Sequence, residues 1–103
     1  MGTRLECFTA KWSNFLRWLR GQIPSLDDDM PALVALAPET AFVLFAEHLP
    51  ALRDAIKTRD AKALAAKADV ARLAELISLV TDQERGWRYL EFFAEATDVT
   101  SFI

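Results

Sequence analysis

The chain has 103 residues, of which 52% are hydrophobic and 26% charged, and its formal net charge is −3. This composition excludes a disordered chain and is typical of a single globular domain, here residues 1–103, with a core of its own. Cys7 is the single cysteine, which excludes an intrachain disulfide and favours a reducing cytoplasm. The longest uncharged stretch, residues 30–38, is far shorter than the ~18 apolar residues of a membrane span. Charged residues near the start also argue against a signal peptide, so we expect a soluble, cytoplasmic protein.

The charge is distributed in blocks along the chain. Residues 1–23 carry a net charge of +3, residues 24–52 carry −5, residues 53–81 carry +2, and residues 82–103 carry −3. This alternation favours helices of opposite charge packed side by side in antiparallel order.

A first helix is predicted from about residue 3 to residue 22. Its apolar residues recur at steps of three and four, which places them on one face. These residues are Leu5, Phe8, Trp12, Phe15, Leu16, Leu19 and Ile23. Trp18 lies outside that face, so it is either covered by another part of the chain or offered to a partner.

An acidic run, Asp27, Asp28 and Asp29, follows the first helix. A short second helix is predicted at about residues 30–37, and Asp28 or Asp29 would cap it by accepting a backbone hydrogen bond. The run is interpreted either as a solvated turn or as a contact for a partner with a basic surface.

A third helix is predicted over residues 38–58 and is expected at the centre of the fold. Its apolar stripe keeps its phase across Pro50, which favours one helix kinked at that proline. Two short helices joined at His48 and Leu49 are the alternative. The stripe consists of Phe42, Phe45, Leu49, Leu52 and Ile56.

A fourth helix is predicted over residues 61–80, rich in alanine and capped by Asp60. Its buried face is expected to consist of Val70, Leu73, Ile77 and Val80. Three further leucines widen the apolar arc and indicate either contacts with two neighbouring helices or a homodimer: Leu64, Leu76 and Leu79.

A fifth helix is predicted over residues 82–96, with Thr81 and Glu84 as a capping box. Its inward residues are expected to be Trp87, Leu90, Phe93 and Ala94. Tyr89 and Phe92 lie off that face. Either Phe102 and Ile103 of the tail cover them, or they form an exposed patch that binds a partner.

These patterns predict an all-α fold, a compact bundle of four to five helices, because the sequence has no alternating strand pattern. No catalytic, cofactor or metal motif is present. The single histidine, His48, lies far from Cys7 in sequence, and the glycines are isolated. We therefore predict no catalytic residues, no cofactor and no metal site.

The predicted function is that of a non-enzymatic protein-interaction module, an inhibitor or adaptor that acts by stoichiometric binding, as a monomer or a homodimer. The candidate partner-binding residues are Trp18, Asp27, Asp28, Asp29, Tyr89 and Phe92. In size, acidity and helical composition the chain resembles phage-encoded inhibitors such as anti-CRISPR proteins, and bacteriocin immunity proteins. No motif carries this resemblance, so no residue is assigned from it.

The alternative is a nucleic-acid-binding regulator that uses the basic first helix, which combines cations with an interleaved tryptophan. On a helical wheel these cations fall on two opposite flanks, which makes nucleic acid the weaker hypothesis. The candidate residues are Arg4, Lys11, Arg17 and Arg20.

Overall fold

The structure, a computed structural model, describes residues 4–24, 37–80 and 82–98. Of these residues 83% are helical and none is in a strand, which confirms the all-α fold. The acidic run, residues 30–36 of the predicted second helix and residues 99–103 of the tail lie outside the described residues; Ala37, predicted to end that helix, has an extended backbone. The described elements are α1 (Arg4–Gln22), α2 (Pro38–Glu47), α3 (Leu49–Thr58), α4 (Lys62–Ala65), a 3-10 helix η1 (Ala68–Val70), α5 (Ala71–Ser78) and α6 (Glu84–Thr97).

Helix α1 buries the apolar face that its sequence predicts. Leu5, however, is 36% exposed, so its predicted burial is wrong; it lies in the first turn, at the edge of the stripe. Ile23 is partly buried against the core, and Cys7 is exposed. The buried residues of α1 are Phe8, Trp12, Phe15, Leu16 and Leu19.

The predicted third helix is divided at His48 into α2 and α3, so the continuous helix kinked at Pro50 is not observed. Pro50 is instead the second residue of α3. Proline has no N–H and its ring clashes with the preceding turn, so it is tolerated in a first turn but not in a helix interior. The His48 N–H donates to the Leu44 carbonyl (3.1 Å), and its carbonyl accepts from the Leu52 N–H (3.0 Å). His48 therefore ends one helix and begins the next.

The predicted fourth helix is also broken, into α4, η1 and α5. The predicted cap is wrong: the N-cap of α4 is Ala61, and no side-chain capping bond forms there. Asp60 precedes the cap, and its Oδ1 accepts a hydrogen bond from the N–H of Lys62, the first helical residue, at 3.0 Å. The chain leaves the helical conformation at Lys67, which has an extended backbone. The predicted buried face is confirmed. Leu64 and Leu76 are also buried, whereas Leu79 is 66% exposed, and the homodimer stays a prediction.

Helix α6 packs against α1, α2 and α3, and its predicted inward residues are buried. Its N-cap is Gln83, not Thr81, and no side-chain capping bond forms there. The predicted capping box is wrong because α6 begins at Glu84, so Glu84 does not occupy the third helical position. Arg59, which ends α3 in a left-handed conformation (φ 54°), pairs with Glu84 at 2.8 Å and with Glu91 at 3.0 Å.

A cluster of aromatic rings from α1, α2 and α6 forms part of the core. Phe93 lies at its centre, with its ring centroid 5.1 Å from that of Phe8, 5.3 Å from Phe15 and 5.5 Å from Phe45. Trp12 is a further neighbour at 5.8 Å. All five side chains are at most 1% exposed. Tilted, edge-on and stacked contacts at these distances stabilise the core beyond the burial of apolar area alone.

Candidate binding surface between α1 and α6

Helices α1 and α6 pack against each other, and an open groove follows their junction. The groove consists of two adjoining depressions of about 470 and 410 Å³, which share Lys11, Arg85 and Tyr89. We call this region the basic–aromatic surface. It is lined by Lys11, Asn14, Arg17 and Trp18 from α1 and by Glu84, Arg85, Arg88, Tyr89 and Phe92 from α6.

The floor of the surface is aromatic and continuous with the core. The Trp18 ring lies 5.6 Å from the Tyr89 ring, which in turn lies 5.2 Å from Phe15. Gly86 allows this approach, because a Cβ atom there would lie 3.3 Å from Cη2 of Trp18. Tyr89 is only 9% exposed, covered by α1. Trp18 lies off the apolar face of α1, but it is half-buried because it packs against α6.

Positive charges stand over this aromatic floor. Lys11 Nζ lies 5.1 Å from the Phe92 ring centroid, and Arg85 Cζ lies 6.0 Å from the Tyr89 centroid. Such cation–π contacts contribute about 0.5–1 kcal/mol at exposed sites and hold the cations near the rings. Arg17 and Arg88 form no ion pair with an acidic side chain in the part of the chain that the structure describes.

Acidic charge does little to offset these cations. Glu84 is the acidic residue among those that line the surface, and its carboxylate pairs with Arg59, a residue outside the surface. The surface therefore carries an excess of positive charge, although the whole chain has a net charge of −3. An anionic group is the ligand that this distribution favours.

The surface unites residues from both predicted sets. Trp18, Tyr89 and Phe92 come from the candidate protein-binding set, and Lys11 and Arg17 come from the candidate nucleic-acid set. The acidic run, Asp27 to Asp29, lies outside the described residues.

Two predicted cations lie elsewhere. Arg20 is exposed but lines neither depression. Arg4 donates from Nη1 to the carbonyls of Glu95 (2.8 Å) and Ala96 (3.0 Å), at the end of α6. Arg4 thus satisfies C-terminal carbonyls and offsets the negative end of the α6 dipole.

Two arginines of the surface, Arg85 and Arg88, are not predicted as binding residues by the sequence patterns. Each precedes an aromatic residue of the surface, Tyr89 or Phe92, by four positions on the same helix. Residues four apart share a helix face, so this spacing is the signal that could have identified them.

Arg4→Met is expected to lower the free energy of unfolding by about 1–2 kcal/mol, because it removes charged hydrogen bonds to the α6 carbonyls. Arg17→Met is the matched control, since Arg17 is exposed and is expected to change stability by less than about 0.5 kcal/mol. Urea denaturation followed by circular dichroism measures both. Equal effects of the two substitutions would contradict the capping role of Arg4.

The lining residues carry guanidinium, amine, aromatic and carboxylate groups, and they include no serine, cysteine, aspartate or histidine. Guanidinium groups bind carboxylates and phosphates through paired, charge-assisted hydrogen bonds. Elsewhere, the described residues include one group of possible metal ligands, Glu47, His48 and Asp69, which shares no residue with the surface.

Comparison with protein-family models, curated proteins and solved structures finds no match to this chain. Within the described ranges, no helix is both long and apolar enough to cross a lipid bilayer.

Proposed function

We propose that the protein is a non-enzymatic interaction module whose basic–aromatic surface binds an acidic segment of a partner protein. The observation that carries this proposal is the convergence of cations from α1 and α6 above an aromatic floor: Lys11, Arg17, Arg85 and Arg88. In this proposal the protein acts stoichiometrically in the cytoplasm, as an inhibitor or adaptor.

The residue types support a protein partner. Arginine and aromatic residues are enriched at the energetic centres of protein interfaces, and tryptophan and tyrosine supply rigid contact area. Trp18 is half-buried, so part of its ring is available to a partner while its neighbours fix its position. Carboxylates of a partner would pair with the arginines around it. This partner is acidic, whereas the run Asp27 to Asp29 predicts a basic one; that second contact stays a prediction.

Nucleic acid is the second candidate, favoured because Lys11 and Arg17 lie on one groove with two further arginines. The aromatic rings argue against it. Tyr89 packs against α1, and Lys11 stands over the Phe92 ring, so neither ring is free to stack on a base. Of the rings of this surface, Trp18 alone would be available in part to a base, so binding would depend mainly on phosphate contacts and would weaken steeply with salt.

The proposal is tested with two fluorescent probes, a glutamate-rich peptide and a single-stranded oligonucleotide, measured by anisotropy at several salt concentrations. The peptide is expected to bind more tightly than the oligonucleotide. Reversing two charges, Arg85→Glu with Arg88→Glu, is expected to weaken peptide binding by about tenfold or more, because like charges at an interface repel strongly.

The matched control reverses two exposed cations outside the surface, Lys57→Glu with Lys67→Glu, and so makes the same change in net charge. This variant is expected to keep most of the peptide affinity. Tighter binding of the oligonucleotide, with a steep salt dependence, would favour the nucleic-acid hypothesis. Equal losses in the two double variants would show that overall charge, and not this surface, determines binding.

A further inference from the structure

Three potential metal ligands converge where α2 meets α3. Glu47, His48 and Asp69 each offer one ligand atom, and these atoms lie within 4.8 Å of one another. His48 Nε2 lies 3.6 Å from Asp69 Oδ2. The geometry points to a binding site for a divalent transition-metal ion of the zinc class, formed by these three side chains.

The burial and hydrogen bonding of His48 support this inference. Nε2 of His48 is buried and has no hydrogen-bond partner among the described residues. Oδ2 of Asp69 lies within ion-pair distance of Nε2, at 3.6 Å, but beyond hydrogen-bond distance. Burying a polar atom without a partner is unfavourable, and a neutral imidazole nitrogen in this position is a good ligand for a metal ion.

The distances fit a tetrahedral ion. Metal–ligand bonds of about 2.0–2.2 Å place neighbouring ligand atoms about 3.4 Å apart. The separation of 3.6 Å between the His48 and Asp69 atoms is close to this value. Glu47 is exposed, and its side chain has the freedom to close the remaining distance. Three protein ligands would leave a fourth position for water or for a group from a partner.

The backbone provides a second, independent observation. Both predicted helices that break do so at this cluster, one at His48 and the other just before Asp69. Pro50 accounts for the first break, but residues 61–78 contain neither glycine nor proline to account for the second. Departures from local helix propensity are expected where a site requires them. The second break brings η1, which carries Asp69, against α2.

The ligand set selects the class of ion. Calcium and magnesium prefer oxygen ligands throughout, whereas imidazole with carboxylates suits zinc, cobalt and nickel. A bound ion would join the α2–α3 junction to η1, so metal binding is expected to stabilise the fold.

The test uses the full chain, freed of metal with a chelator and titrated with Zn²⁺ by isothermal calorimetry. One ion is expected to bind per chain, and the melting temperature is expected to rise with Zn²⁺ but not with Mg²⁺. Co²⁺ is expected to give the visible absorption of a low-symmetry site, which reports coordination directly.

Asp69→Asn and His48→Gln are each expected to weaken Zn²⁺ binding by about tenfold or more, since even indirect ligand partners contribute this much. The Asp69 side chain is 63% exposed, so Asp69→Asn is expected to fold. If His48→Gln fails to fold, the result for Asp69→Asn decides the question. Asp82→Asn and Cys7→Ser are the controls and should bind Zn²⁺ normally. Absence of binding to the unaltered chain, full binding by Asp69→Asn, or loss of binding in Cys7→Ser would each overturn the inference.

Discussion

Phe93→Ala is expected to lower the free energy of unfolding by about 3–5 kcal/mol, the range for truncating a buried aromatic residue. The Phe93 ring is fully buried and contacts rings from both α1 and α2. Removing it leaves a cavity at the point where three helices meet, and the surrounding rings cannot all move inward to fill it. Since a domain of this size is stable by about 5–15 kcal/mol, this is the largest single effect that we expect.

The neighbouring Phe92 provides a matched control on the same helix. Phe92 is half-buried beneath Lys11, so Phe92→Ala is expected to cost about 1 kcal/mol, a part of the full burial energy. Guanidinium denaturation monitored by tryptophan fluorescence and circular dichroism measures both variants. A cost for Phe92→Ala that equals or exceeds that of Phe93→Ala would show that the core is not centred on Phe93.

Leu64→Ala is expected to lower the free energy of unfolding by about 2–5 kcal/mol. Leu64 is fully buried and is the buried residue of α4, a helix of four residues. So short a helix has no stability of its own, because helix nucleation is unfavourable. Its attachment to α3 and α5 therefore depends on this side chain. Amide hydrogen exchange should show lost protection over residues 62–70 in addition to the change in global stability.

Leu79→Ala makes the same chemical change at a side chain that is 66% exposed. It is expected to change stability by less than about 0.5 kcal/mol. If the loss of stability caused by Leu79→Ala instead grows as the protein concentration is raised, Leu79 lies in a contact between copies of the chain. The predicted homodimer requires such a contact.

Helical periodicity predicted most of the core correctly. The buried faces of α1 and α6 follow directly from apolar residues spaced three and four apart, because that spacing leaves one face for packing. The same pattern predicted Val70, Leu73 and Ile77 as buried even though the helix around them is broken. The helical spacing of apolar residues therefore predicts which side chains are buried even where the helix is interrupted for a few residues.

The two helix breaks were harder to predict, for different reasons. Pro50 is visible in the sequence, but a proline is compatible with either a kink or a new helix start. The break before Asp69 has no comparable signal, because residues 61–74 are rich in alanine, which favours a continuous helix. The segments on either side of this break contact one another, and η1 also contacts α2, an arrangement that local helix propensity does not specify.

The candidate surface could be predicted only in part. Trp18, Tyr89 and Phe92 were identifiable because each lies off an apolar face. Whether such residues are exposed depends on which helices pack together, and the sequence does not specify that α1 covers Tyr89. Arg85 and Arg88 resemble ordinary solvated charges until the packing of α6 on α1 shows that they line a groove together with α1 residues.

The position of Cys7 has a practical consequence for studying this protein. Its thiol is exposed, it is unique in the chain, and it lies one helical turn before Lys11. A fluorophore attached by maleimide chemistry would therefore label the native sequence at one position, beside the groove. Changes in its emission would report occupancy of the groove in real time, so ligands could be screened without introducing any reporter mutation.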